Sequence, residues 1–314
     1  MDRRTFLISG SAFGSGLWLP KSPASALAML GEVARAIPST GDMLPVIGMG
    51  SWITFNVGRS KKLRAARMEV LGEFFAAGGG LVDSSPMYGS SEEVIGWCLE
   101  RLGGTDGLFS ATKVWTVSKS MGISQMKASE GLWGRKPLDL LQVHNLLDWE
   151  THLETLKAWR AEGRVRYIGV TTSHGRRHDD LEDIMKREPL DFVQFTYNIA
   201  DREAEKRLLP LAADRGIGVI VNRPFRRGSL IEQLKRHPLP AWASEIDCVS
   251  WPQFLLKFII SHPAVTCAIP ATSRVDHMQE NMAVWRGGIA NYSMQARLPD
   301  AKMRARMIAH VESL

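Results

Sequence analysis

The chain is expected to fold as a single-domain α/β protein, a closed (β/α)8 barrel of the TIM type. Three observations predict this. From residue 42 onward, short apolar runs alternate with amphipathic segments whose apolar residues recur every three or four positions. Strands that alternate with helices in this way build parallel βαβ units, and eight such units over about 250 residues match a closed barrel. The glycine turn of a doubly wound open sheet is absent: Gly48-Met49-Gly50 leads straight into Ser51 and Trp52.

The elements follow in order. Residues 1–28 read MDRRTFLISGSAFGSGLWLPKSPASALA, with Arg3-Arg4 ahead of a weakly apolar, Gly- and Ser-rich stretch and two small-x-small sites, Ala24-Ser25-Ala26 and Ala26-Leu27-Ala28. This is the layout of a cleaved signal peptide of the twin-arginine type, so export machinery is an expected partner and a periplasmic or otherwise exported location is expected. The apolar run falls short of the roughly 20 residues that span a bilayer. The barrel domain is then 29–314. Strands are expected at 46–52, 80–83, 108–115, 138–144, 167–172, 191–197, 217–222 and 265–270. The clearest helices are 64–77, 92–102, 151–162, 203–215 and 252–260, with a final helix from 299 to the end.

Composition narrows the function classes. Hydrophobic residues make up 45% and charged residues 23%, enough apolar material for one large core. The net charge of +6 is carried by scattered Lys and Arg with no run that tracks a surface, which argues against nucleic acid as a partner. Cys98, Cys248 and Cys267 form no CxxC pair, and no Cys/His/carboxylate cluster suggests a metal.

In a parallel barrel the active site lies at the carboxyl ends of the strands. The second strand ends at Asp83, with Tyr88 on the loop above it; the third carries Lys113; the fourth ends at His144. A lysine inside an apolar strand has to be paired, because a bare buried ammonium is costly. Taken singly, Asp83 reads as a turn residue, and Tyr88 and His144 as packing. On successive strands they form a carbonyl-reducing set. A Tyr hydroxyl gives the oxygen its proton, an ammonium beside it is expected to lower the phenol pKa, Asp83 orients Lys113, and His144 holds the carbonyl oxygen.

At these residues the chain resembles the aldo-keto reductases. Asp83-Ser84-Ser85-Pro86-Met87-Tyr88-Gly89-Ser90-Ser91-Glu92 is similar to the family signature, and the Lys113 and His144 strands follow in matching order. The resemblance implies a catalytic set of Asp83, Tyr88, Lys113 and His144, with Tyr88 as general acid. It also implies a nicotinamide cofactor, NADP(H) preferred and NAD(H) possible, and a small aldehyde or ketone as substrate. Gly50, Ser51 and Trp52 end the first strand on the cofactor side. Gly169-Val170-Thr171-Thr172 stands where the family reads Gly-Val-Ser-Asn, so Thr171 keeps a hydroxyl and Thr172 lacks the amide. Gln194 matches a nicotinamide-contacting residue. Asn222-Arg223-Pro224-Phe225 replaces Tyr-Ser-Pro-Leu, which removes the stacking aromatic. Thr272, Arg274, His277 and Asn281 fall in the adenosine-phosphate segment, with Arg274 the candidate for a 2′-phosphate. Trp52, Phe55, Trp115, Trp149 and Phe225 are candidates to line the substrate pocket.

Two other readings compete. In one, Lys113 is the nucleophile of a Schiff-base aldolase. Alternatively, the substitutions at Thr172 and Asn222 fit an exported, reductase-like barrel that binds a cofactor or ligand without efficient turnover. Oligomeric state and substrate identity are not legible.

Overall fold

The computed structural model describes residues 34–103, 107–285 and 297–314. The expected export segment lies outside the described residues. Two short strands come first, β1 (Ala34–Ala36) and β2 (Met43–Pro45), paired antiparallel. Eight parallel strands follow: β3 (Met49–Gly50), β4 (Leu81–Asp83), β5 (Phe109–Val114), β6 (Leu138–Val143), β7 (Val165–Thr171), β8 (Phe192–Thr196), β9 (Gly218–Asn222) and β10 (Cys267–Ala268). Each pairs with the next in chain order. The ends meet through a parallel bridge from Ile47 to Ala268, where Gly48 N–H donates to Ala268 O at 2.8 Å and Ala268 N–H to Val46 O at 2.9 Å. The sheet is therefore a closed barrel without free edges.

The ladder trims the expected strands at their ends, most at 46–52, where only β3 keeps regular pairing. β7 starts two residues before the expected 167. The solvent-facing Arg166 interrupts the apolar run there, although the alternation continues through it to buried Val165. The expected helix at 203–215 divides into a 3-10 turn, Glu203–Glu205, and a helix, Leu208–Arg215. Pro210 has no N–H and crowds the carbonyl four residues back, so it fits only in a first turn. The tail helix is Ala301–Glu312, capped by Asp300, whose carboxylate accepts from Met303 N at 2.7 Å.

Alternation along the strands sets two layers inside the barrel. At the bottom, Ile37 and Leu44 of the β1–β2 hairpin join Leu81, Phe109, Leu140, Tyr167, Phe192 and Ile220 in one apolar cluster. The hairpin is thus a plug, tied further by the Tyr167 hydroxyl donating to Asp42 at 2.7 Å. One step up, the same faces turn polar. Lys113 lies in register with Gln142, and Asp83 and Gln194 end their strands nearby.

Helix Ser91–Leu102 follows the Tyr88 loop and is held by a buried carboxylate. Glu92 accepts from Thr112 Oγ1 at 2.7 Å, Trp133 Nε1 at 2.9 Å and Ser129 Oγ at 3.2 Å, which fastens the helix to β5 and to helix Lys119–Trp133. Burial raises the Glu92 pKa, against the pull of these donors and of Lys113. The two helices touch backbone to backbone at Gly96, where an added Cβ would come within 1.8 Å of Leu132 O. Gly96→Ala is therefore expected to separate them, destabilising the fold by about 2–4 kcal/mol and lowering Tm by about 5–10 °C in a thermal melt.

Candidate active site

The site grows from one buried ion pair. Lys113 is completely buried, and Asp83 is 2% exposed. The ammonium donates to Asp83 Oδ1 at 2.7 Å, to Asp83 Oδ2 at 2.6 Å and to Ser84 O at 2.7 Å. Three ammonium protons thus meet three acceptors. Gln194 Nε2 donates to the same carboxylate at 3.0 Å, so the acid is gripped from two sides of the barrel. Burial pulls the Lys113 pKa down, and Asp83 opposes it.

Tyr88 sits above this pair on the 3-10 turn Pro86–Tyr88. Ser85 caps the turn, and Pro86 stands at its first position, where no N–H is required. The Lys113 Nζ lies 5.3 Å from the Tyr88 ring centroid, and the His144 ring meets Tyr88 edge-on at 5.6 Å. The expected lowering of the phenol pKa by the ammonium is corrected by this geometry: burial, and then the Asp83 carboxylate, hold the Tyr88 phenol well above its ordinary value. The reason is that Lys113 spends its protons on Asp83 and Ser84 O, and the carboxylate beside it cancels most of its field. Tyr88 keeps its proton and presents a neutral O–H donor. Burial, with Lys113 nearby, pushes the His144 pKa down to about 2, so its imidazole is neutral as well.

These groups open on a cleft of about 1390 Å³. Asp83, Tyr88 and His144 line it, as do Gly50, Ser51, Trp52, Thr171, Thr172, Gln194, Asn222, Arg223, Pro224, Phe225, Thr272, His277 and Asn281. Lys113 stays beneath its floor. Arg274 is not brought in: its guanidinium turns outward to Asp276, donating from Nε at 2.9 Å. A carboxylate two residues away is a nearer partner for it than the cleft. Of the expected pocket aromatics, Trp52 and Phe225 reach the cleft. Phe55 is fully buried core, Trp149 packs against the outer core, and Trp115 is exposed outside the lining.

The cleft offers a ligand an unpartnered hydroxyl and a wall bearing arginines. Thr172 Oγ1 is buried with no hydrogen-bond partner, a hydroxyl left for a ligand group. Asn222 is locked in place, donating to Thr172 O at 2.9 Å and accepting from Thr196 Oγ1 at 2.7 Å. Of the cations on the loop after β9, sequence alone singled out Arg223 and missed Arg227. Arg227 lies 4.4 Å over the Trp52 ring, and Arg223 donates to His174 Nε2 at 2.7 Å. Burial and the neighbouring arginines hold the His174 pKa down. The signal available was the run Arg223, Arg226, Arg227 directly after a strand.

The neutral His144 has a consequence for stability. Between pH 6.5 and about 2 the unfolded chain binds a proton that the folded site refuses, so His144 subtracts stability as pH falls below about 6.5 and nothing above it. His144→Asn is expected to lose stability less steeply than the parent chain between about pH 6 and pH 4, by up to about 1.4 kcal/mol per pH unit in urea unfolding.

Comparison with known proteins agrees with the architecture. The model of the Aldo/keto reductase family matches residues 46–296. The aldo-keto reductase YhdN of Bacillus subtilis is 27% identical over 210 residues, covering 62% of this chain and 62% of that protein, so the chain spans under two thirds of that relative's length. The NADH-specific methylglyoxal reductase of Escherichia coli is 25% identical over 239 residues, covering 65% of this chain and 71% of that protein. Among solved structures, an aldo-keto reductase from Klebsiella pneumoniae in complex with NADPH superposes with a TM-score of 0.73 at 21% identity, covering 89% of this chain and 95% of the other. The closed eight-stranded barrel, the site at its carboxyl rim and a family match over most of the described residues together place this chain in the aldo/keto reductase family.

Proposed function

We propose that this chain is a nicotinamide-dependent reductase of small aldehydes or ketones, with Tyr88 as general acid. The observation that carries this reading is the buried Lys113–Asp83 pair directly beneath Tyr88 and His144, with Asp83, Tyr88 and His144 lining one cleft. The Tyr88 O–H gives its proton to the carbonyl oxygen, and the His144 N–H orients that oxygen. The raised phenol pKa makes Tyr88 a reluctant acid, so the transfer is driven by the basicity the carbonyl oxygen gains as hydride reaches its carbon. A reduced nicotinamide, when bound, supplies the hydride to the carbonyl carbon. Thr171, Thr172 and Gln194 would hold its amide end. Asn222, Arg223, Pro224 and Phe225 would lie along it, with Gly50, Ser51 and Trp52 on the facing wall. Thr272, His277 and Asn281 would take the adenosine end. NADP(H) is the preferred form, supported by the basic cleft and by the NADPH of the Klebsiella neighbour. NAD(H) remains the alternative, as in the NADH-specific relative.

The Schiff-base alternative loses support, because every Lys113 proton is engaged and the amine is fully buried. A binding protein without efficient turnover is favoured by Thr172 and Asn222, which offer neither an asparagine amide nor an aromatic face at the nicotinamide end, and by the expected export away from a regenerating NADPH pool. Tyr88→Phe separates the two readings. It is expected to cut carbonyl reduction by about 10²–10⁴-fold while leaving NADPH affinity, followed by tryptophan fluorescence, within two-fold. A parent chain that binds NADPH tightly yet turns over no carbonyl would favour the binding protein.

We also propose that the chain is exported by the twin-arginine route and acts in the periplasm or beyond, on the strength of Arg3-Arg4 and the residues up to Ala28. Replacing Arg3 and Arg4 by lysine is expected to leave uncleaved precursor inside the cell in a fractionation experiment. Unchanged export would overturn the assignment.

A further inference from the structure

Ser85 occupies a junction that the reaction chemistry above does not use. Its side chain is fully buried, and its hydroxyl has two partners. It accepts the Met87 N–H at 3.2 Å, closing the turn that carries Tyr88, and it lies 2.8 Å from His144 Nδ1. A hydroxyl has one proton to give, and a backbone N–H cannot take it. His144 Nδ1 is therefore the acceptor for that proton among the described residues. The imidazole is neutral and carries a single N–H. With Nδ1 occupied as an acceptor, that N–H belongs to Nε2, across a ring that lines the cleft. The opposite tautomer would leave the Ser85 proton buried without a partner and would turn a lone pair toward a substrate carbonyl oxygen.

We infer that Ser85 is a positioning residue for the carbonyl: its hydroxyl holds His144 in the Nε2–H tautomer while its oxygen caps the Tyr88 turn. One side chain thereby sets both groups that meet the substrate oxygen. Hydrogen bonds from behind fix the tautomer and orientation of metal-binding histidines, and the same physics applies to a histidine that donates to a substrate. The catalytic consequence rests on the reductase reading; the tautomer does not.

The test uses the full chain. The ¹⁵N signals of the histidine rings are recorded for the parent protein and for Ser85→Ala, with those of His144 assigned by their loss in His144→Asn. The parent is expected to show a protonated Nε2 and a bare Nδ1 at His144. Ser85→Ala is expected to show a mixture of tautomers and a kcat about ten-fold lower, with the carbonyl KM changed less than two-fold and NADPH binding intact as a check on folding. Ser85→Thr, which restores a hydroxyl, is expected to recover both the tautomer and kcat. A protonated Nδ1 in the parent overturns the inference, and so does a Ser85→Ala chain in which either the tautomer or kcat stays at its parent value. A parent that reduces no carbonyl would instead sink the reductase reading, and the ring signals would still decide whether Ser85 sets His144.

Discussion

An ammonium group deep in a barrel survives only where every proton has an acceptor and its charge has a counterpart. Lys113 meets both conditions through Asp83 and Ser84 O, and much of the surrounding structure serves that arrangement. β4 and β5 must be neighbours in parallel register for the two side chains to face the same interior layer. Gln194 must reach from β8 across the barrel to hold the carboxylate. Removing either member of such a pair leaves an uncompensated buried charge, which costs about 3–5 kcal/mol, so the pair constrains the fold as much as it supports chemistry.

The same pair contributes to the electrostatics above it. Burial is what chiefly keeps Tyr88 protonated and His144 neutral, with the Asp83 carboxylate adding to the first effect and the Lys113 ammonium to the second. Both are then donors facing one side, the arrangement that suits a carbonyl oxygen about to gain negative charge. The outer wall of the site is of a different kind. Its arginines and His174 sit on loops and rest against one another and against Trp52, so they shape a basic surface for an anionic ligand without building a charge into the core.

The alternation of apolar runs with helical periodicity determined the barrel class, and the order in which Asp83, Tyr88, Lys113 and His144 occur along it picked out the candidate residues that the structure gathers at one rim. Strand alternation is local, and in a parallel barrel strand ends converge, so both could be read from the chain. Several things could not. The β1–β2 hairpin that plugs the barrel is too short to show a period, and its burial depends on Tyr167 and Phe192 far along the chain. The direction of the Tyr88 pKa depended on how deeply its ring is buried and on the Asp83 carboxylate brought beneath it. Arg274 left the cleft because Asp276 was nearer, while Arg227 entered because a loop laid it over Trp52. Ser85 was visible as a letter of a motif, but its hold on His144 joins residues 59 positions apart. Sequence determines which groups are present and which strand each ends; only the closed tertiary structure decides which polar atoms meet, because hydrogen-bond partners and buried charges are settled by distances across the barrel.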